Sequence, residues 1–123
     1  MDNARIAHFE DNESLRQLLS EMFQYYGHAI VGVASTMEEA GQLVEHIEPG
    51  EVDIAIVDGN LTRNGPGQVG ENRDGAEIAN LLRSKFGNSV TIIGYPGYGV
   101  IEGADVNLQK GKPQLLIDKI AEI

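Results

Sequence analysis

The run Asp53-Ile54-Ala55-Ile56-Val57-Asp58 constrains the fold more than any other stretch of the chain. Its apolar residues leave no polar face, so as a strand it must be covered on both sides, as a central strand of a parallel sheet is. The strand ends in a carboxylate, Asp58. A second strand of the same kind, Arg5-Ile6-Ala7-His8-Phe9, runs into Glu10-Asp11. A parallel sheet collects such strand ends at one edge, where ligands bind in open α/β folds. Two unit charges about 4 Å apart repel by roughly 4 kcal/mol at an effective dielectric of 20, so three carboxylates need a cation or raised pKa values. Hard oxygen ligands with few protein contacts favour Mg2+ over zinc.

Strand-like runs alternate with helical periodicity from end to end, which predicts a parallel sheet with helices on both faces. The first helix follows Asn12 as N-cap and carries Leu15, Leu18, Leu19, Met22, Phe23 and Tyr26 as one apolar stripe, with Gly27 as its stop. The second strand is Ala29 to Ala34. Thr36 and Glu39 read as a capping box for a helix with Met37, Ala40, Leu43, Val44 and Ile47, ended by Pro49-Gly50. Asp74 opens a helix with Ile78, Leu81, Leu82 and Phe86, and Val90 to Ile93 is the fourth strand. Val106 to Gln109 is the fifth, and Pro113 starts a last helix with Leu115, Leu116, Ile117 and Ile120. Between these, Gly94, Pro96, Gly97 and Gly99 argue against a long helix.

The 123 residues suit one domain spanning 1–123, large enough to bury about two thirds of the surface its unfolded chain exposes. There is no cysteine, which excludes disulfides and thiolate metal sites. A formal charge of −10 gives no footprint for nucleic acid or anionic lipid. The N-terminus lacks the basic and apolar regions of a signal peptide, and no apolar run approaches the roughly 18 residues that span a bilayer. The expectation is a soluble, cytoplasmic protein.

Four pieces in order, Glu10-Asp11, Asp58, Gly103-Ala104 and Lys110-Gly111, resemble the receiver domain of bacterial response regulators over nearly the whole chain. The resemblance implies a flavodoxin-like, doubly wound five-stranded parallel sheet in the order 2-1-3-4-5. It further implies that Asp58 accepts a phosphoryl group from a histidine kinase, that Glu10, Asp11 and Asp58 hold Mg2+ with the Asn60 backbone carbonyl, and that Lys110 pairs with the phosphoryl oxygens. Lys112 competes with Lys110 for that role, and one member of the acidic pair serves simply to cap the first helix in the plainer reading.

The chain also departs from that family. Where receivers end the fourth strand with Ser or Thr, whose hydroxyl moves to the phosphoryl group, this chain has Gly94, and the aromatic partner three residues before the lysine is replaced by Asn107. Tyr95 puts bulk where phosphodonors enter. The stretch from Gly94 to Lys110 is too short for a full fourth helix, which is expected to be shortened or missing, leaving Tyr98, Val100 and Ile101 as an exposed apolar patch suited to a homodimer or partner. The stretch from Gly59 to Arg73, with Gly65, Pro66, Gly67 and Gly70, is extended, and reads as a surface loop or as a lid beside Asp58 bringing Arg63 and Arg73.

His8, His28 and His46 share no ligand-like spacing. Tyr25, Tyr26, Tyr95 and Tyr98 are not interleaved with basic residues, so they make no stacking platform. The functional expectation is a single-domain response regulator, not a metabolic enzyme, handing its phosphoryl signal to other proteins, a histidine phosphotransfer protein among them. The alternative is a pseudo-receiver that binds partners without phosphorylation. A small phosphatase using Asp58 as nucleophile lacks the second acid at Asn60.

Overall fold

The computed structural model describes residues 1–61 and 72–123. Five parallel strands, β1 (Arg5–Phe9), β2 (Ala29–Ala34), β3 (Ile54–Val57), β4 (Thr91–Gly94) and β5 (Val106–Asn107), form one sheet in the order β2-β1-β3-β4-β5. They alternate with helices α1 (Glu13–Tyr25), α2 (Met37–His46), α3 (Arg73–Phe86) and α4 (Pro113–Glu122), with a 3-10 turn at Gly87–Ser89. The sheet is the expected flavodoxin-like one. No helix stands between β4 and β5, so the expected loss of the fourth receiver helix is observed. Among the described residues no helix is long and apolar enough to cross a membrane.

The period of two along each strand sorts the core into two layers. Ile6, Ile54, Ile56, Ile93 and Tyr95 face Leu19, Phe23, Leu116, Ile117 and Ile120 of α1 and α4. Ala7, Phe9, Ala55, Val57 and Ile92 face Ala40 and Val44 of α2 and Ile78 and Leu82 of α3. β3 is buried at all four positions, as its unbroken apolar run requires. β1 pairs with β3 from Ile6↔Ile54 to Phe9↔Val57, a register that sets Glu10 level with Asp58.

The helix ends hold several of the expected caps. Asn12 accepts from Leu15 N at 2.9 Å and starts α1, and Pro113 opens α4. The α1 stripe is narrower than its spacing predicts, because Leu18 and Tyr26 are each 47% exposed and only Leu19 and Phe23 are fully buried. The capping box is rearranged. Thr36 accepts from Glu39 N at 3.1 Å, but Glu39 returns its carboxylate to Ser35 N at 2.8 Å, one residue outside the helix. α3 starts at Arg73, one residue before the expected opening at Asp74. Asn72 holds the cap position with left-handed backbone, and Asp74, inside the helix, accepts from Leu61 N at 2.9 Å to tie α3 to the chain leaving β3. β4 lies one residue later than expected and β5 is two residues long instead of four, because the ladder past Asn107 continues only through single bonds, Leu108 N to Gly94 O and Lys110 N to Pro96 O.

Candidate functional site

Backbone bonds prolong the sheet past its strand ends and so aim the acids. Glu10 N donates to Ala34 O and Asp58 N to Phe9 O, each at 2.9 Å, and Tyr95 N donates to Val57 O at 2.8 Å. Glu10 continues the Ile6–His8 side of β1 and Asp58 the Ile54–Ile56 side of β3, so both carboxylates leave the sheet toward the same layer. Asp11 follows at the entrance to α1. One carboxylate oxygen from each of Glu10, Asp11 and Asp58 lies within 4.8 Å of the others. Glu10 and Asp58 are 1% and 5% exposed, whereas Asp11 is more open to solvent.

Lys110 enters this group from beyond β5. Its Nζ lies 2.8 Å from Asp58 Oδ1 and 3.1 Å from Glu10 Oε2. Lys112 is exposed at the N-cap of α4 and takes no such position. Gly59 N donates to Asp58 Oδ1 at 2.7 Å, and Asn12 N donates to Glu10 Oε2 at 3.2 Å. Sequence reasoning misses Arg16. Its Nη1 donates to the Glu10 carbonyl at 3.0 Å from the first turns of α1, and the only signal for it is a basic residue six positions after the acid.

Electrostatics follow from burial and count. Desolvation, then the neighbouring Asp58 charge, push Glu10 up to about 7 against the opposing pull of Lys110. Desolvation also raises Asp58, with Lys110 resisting. Burial alone would lower Lys110, but its bonds to Asp58 and Glu10 and their charges outweigh that and raise it. With all groups ionised, three carboxylates and one ammonium amount to two negative charges in excess around a small oxygen-lined space, a donor set that suits a hard divalent cation. Asn60 lies two residues past Asp58, where the chain leaves the sheet.

The other candidates fall elsewhere. His8 is buried with neither ring nitrogen hydrogen-bonded, stacks edge-on against Phe23, and is held down to about 4 by desolvation and by the charges of Arg16 and Lys110. His28 Nδ1 accepts from Ala4 N at 3.0 Å, a structural bond. No histidine joins the metal-ligand group among the described residues.

Tyr95 does not block the pocket from outside. It continues the Ile93 side of β4 and packs into the α1/α4 layer at 1% exposure. Ile101 is likewise buried, so the exposed patch is reduced to Tyr98 and Val100. Arg73 is exposed on the first residue of α3 and lines a shallow cleft with Asn72, Val100 and Glu102. Arg63, Gly65, Pro66, Gly67 and Gly70, and with them most of the suggested lid, lie outside the described residues.

The Gly94 and Asn107 departures are one feature. They are register partners on β4 and β5, and a Cβ on Gly94 would lie 2.3 Å from Asn107 Oδ1. The Asn107 carboxamide occupies the space beside Gly94, where its Oδ1 accepts from Ile101 N at 2.8 Å.

No protein-family model and no curated protein sequence matches the chain. Solved structures do. A CheY-like response regulator receiver domain protein from Methanospirillum hungatei JF-1 matches with a TM-score of 0.74 and 20% identity, over 97% of this chain and 91% of that one. The signal receiver domain of a modulated diguanylate cyclase from Desulfovibrio desulfuricans G20 matches with 0.73 and 23% identity, over 98% and 93%. The response regulator TrrA from Thermotoga maritima, solved in complex with Mg(2+)-BeF, matches with 0.73 and 26% identity, over 97% of each chain. Sheet order, helix placement and these likenesses over nearly the full length agree that the chain has the fold of response-regulator receiver domains.

Proposed function

We propose that the chain is a receiver module of two-component signalling that accepts a phosphoryl group on Asp58 from a histidine kinase, with Mg2+ held by Glu10, Asp11, Asp58 and the Asn60 carbonyl. The observation that carries this reading is Lys110 Nζ, 2.8 Å from Asp58 Oδ1, set against three converging carboxylates. A solvated acid at a strand end needs no such counter-charge, whereas the buried Glu10 and Asp58 carboxylates are gathered round one ammonium that is within reach of oxygens on a group transferred to Asp58.

The reaction follows from that placement. An Asp58 oxygen forms a bond to phosphorus as the donor's P–N bond breaks, the electron pair going to the departing nitrogen, which takes up a proton. Lys110 is positioned to meet the charge on the transferred group, and the Gly59 N–H holds the Asp58 carboxylate in place for in-line attack. Mg2+, when bound, would supply the remaining positive charge that the two excess negative charges of the pocket call for. That a neighbour of the same fold was solved with Mg(2+)-BeF supports the same chemistry here. The product signals through protein contacts, with a histidine phosphotransfer protein as one acceptor.

One observation favours the second reading, a phosphorylation-independent interaction module. Asn107 fills the place beside Gly94, so the hydroxyl-and-aromatic relay of the family has no counterpart in these two residues. Intact mass after incubation with Mg2+ and phosphoramidate separates the two. The expected result is a single phosphoryl adduct on the wild type and none on Asp58→Asn. A folded wild type that takes up no phosphoryl group would establish the second reading in place of the first.

A further inference from the structure

Residues 96–103 run where a receiver helix would otherwise stand, with no helical hydrogen bonds to hold them. Three side-chain amides hold this strap instead. Asn72 Nδ2 donates to Tyr98 O at 2.9 Å and to Val100 O at 3.1 Å, Gln109 Nε2 donates to Gly99 O at 2.9 Å, and Asn107 Oδ1 accepts from Ile101 N at 2.8 Å. Side-chain amides here take up backbone carbonyls that a helix would have bonded internally.

Asn72 differs from the other two because its carboxamide also rests on the phosphoacceptor turn. A Cβ on Gly59 would lie 1.9 Å from Asn72 Oδ1, so the side chain sits directly against Gly59, whose N–H is the donor to Asp58 Oδ1. Asn72 is 6% exposed and takes φ 52° and ψ 25°, a left-handed conformation that asparagine tolerates better than most side chains. One buried amide thus touches the residue after Asp58 on one side and the strap on the other. Converting Asp58 to an acyl phosphate turns an anionic acceptor of the Gly59 N–H into an ester oxygen or carbonyl, which weakens a charge-assisted bond. The Gly59 peptide then changes its hold, and the group packed on it is Asn72.

We infer that Asn72 is a positioning residue that couples the phosphoryl state of Asp58 to the strap 96–103, in the absence of a hydroxyl at Gly94. This rests on the phosphoacceptor reading above. The surface whose state changes carries Tyr98 and Val100, 58% and 69% exposed.

Amide hydrogen exchange of the 123-residue chain, with Mg2+ and with or without phosphoramidate, tests it while intact mass reports phosphoryl occupancy. In the wild type, exchange across 96–103 is expected to change by about fivefold or more on phosphorylation. Asn72→Gly keeps the left-handed backbone and loses the carboxamide; it is expected to form the adduct with the strap no longer responding. Asn72→Asp keeps an oxygen against Gly59 but has no amide donor, and is expected to lose the response too, which covers a glycine variant that fails to fold. Gln109→Ala cuts the strap bond to Gly99 O and leaves the Asn72 bonds in place, so it should raise basal exchange of the strap and retain the response. An undiminished response in both Asn72 variants, or a silent strap in phosphorylated wild type, overturns the inference and leaves the phosphoacceptor reading standing. A wild type without adduct overturns both.

Discussion

The two flanks of Asp58 are built on different principles. On the β1 flank, Glu10 and Asp11 are brought up to Asp58 by backbone bonds that extend the sheet, and Lys110, reaching in from beyond β5, joins them by opposite charge. On the β4 flank the contacts beside Asp58 are amides instead of charges; Gly94 yields space, Asn107 fills it, and side-chain amides from Asn72, Asn107 and Gln109 hold the chain in place of a helix. On the proposed reading, the first flank would carry phosphoryl transfer, and the second would take the place of the response relay that Gly94 and Asn107 lack. The difference teaches that strand ends position the acidic group while the packing of a crossover positions the segment beside it, so the proposed acceptor chemistry and readout rest on separate contacts.

The comparison breaks most visibly at Lys110. Lys110→Met is expected to slow phosphoryl uptake from phosphoramidate by about 100-fold, the usual scale for losing one preorganised charge-stabilising donor. The same variant should leave basal amide exchange of residues 96–103 unchanged, because no strap bond involves the lysine side chain. A strap that loosens in Lys110→Met would mean that the two flanks are a single structural unit.

A second, smaller effect sharpens the electrostatic flank. Glu10 is raised from 4.5 to about 7, so the folded state binds more protons than the unfolded state between those values. Its contribution to stability is present below about 4.5 and is lost as pH rises through about 7. His8 acts in the opposite sense. Lowered from 6.5 to about 4, it contributes stability above 6.5 that is lost as pH falls through 4. The bare pH curve therefore mixes the two, and the useful quantity is the difference between wild type and Glu10→Gln without divalent cation. That difference should shift in favour of Glu10→Gln by about 2 kcal/mol between roughly pH 5 and pH 8, because a tenfold change in proton affinity between folded and unfolded chain is worth about 1.4 kcal/mol and Glu10 titrates together with Asp58. Denaturant unfolding at several pH values measures it, and a flat difference would show that Glu10 is not desolvated in solution.

The charged flank is largely legible in the sequence and the packed one is not. Glu10, Asp11 and Asp58 announce themselves because each follows an apolar run, a local pattern that needs no knowledge of the partner strand. Tyr95 reads as an obstruction by its size, although strand parity places it two residues after Ile93 and so on the same inward face. Asp74 reads as the start of a helix; its bond to Leu61 N, thirteen residues back, is set by how α3 docks. Asn72 leaves no mark, since left-handed backbone at a single asparagine has no periodicity and its amide partners lie 26 and 28 residues away. Gly94 and Asn107 each look like a loss when considered singly. Only the β4–β5 register shows that one is the other's space.

That complementarity supplies the smallest and most specific expectation. Gly94→Thr places a branched side chain where Asn107 Oδ1 lies 2.3 Å from the new Cβ, so the amide must move and give up its bond to Ile101 N. Overpacking with loss of one hydrogen bond predicts a destabilisation of about 1–3 kcal/mol in denaturant unfolding. Asn107→Ala alone also costs stability, by leaving Ile101 N without its acceptor, but it opens the space that the threonine needs. The double variant should therefore be more stable than the sum of the singles by about 1 kcal/mol, a coupling that residues in direct contact show and distant ones do not. Phosphoryl uptake on Asp58 should stay within about twofold in all three, because none of them alters a pocket charge. Strict additivity would mean that the threonine escapes Asn107 by another rotamer, and that the two family departures are independent substitutions rather than one rebuilt contact.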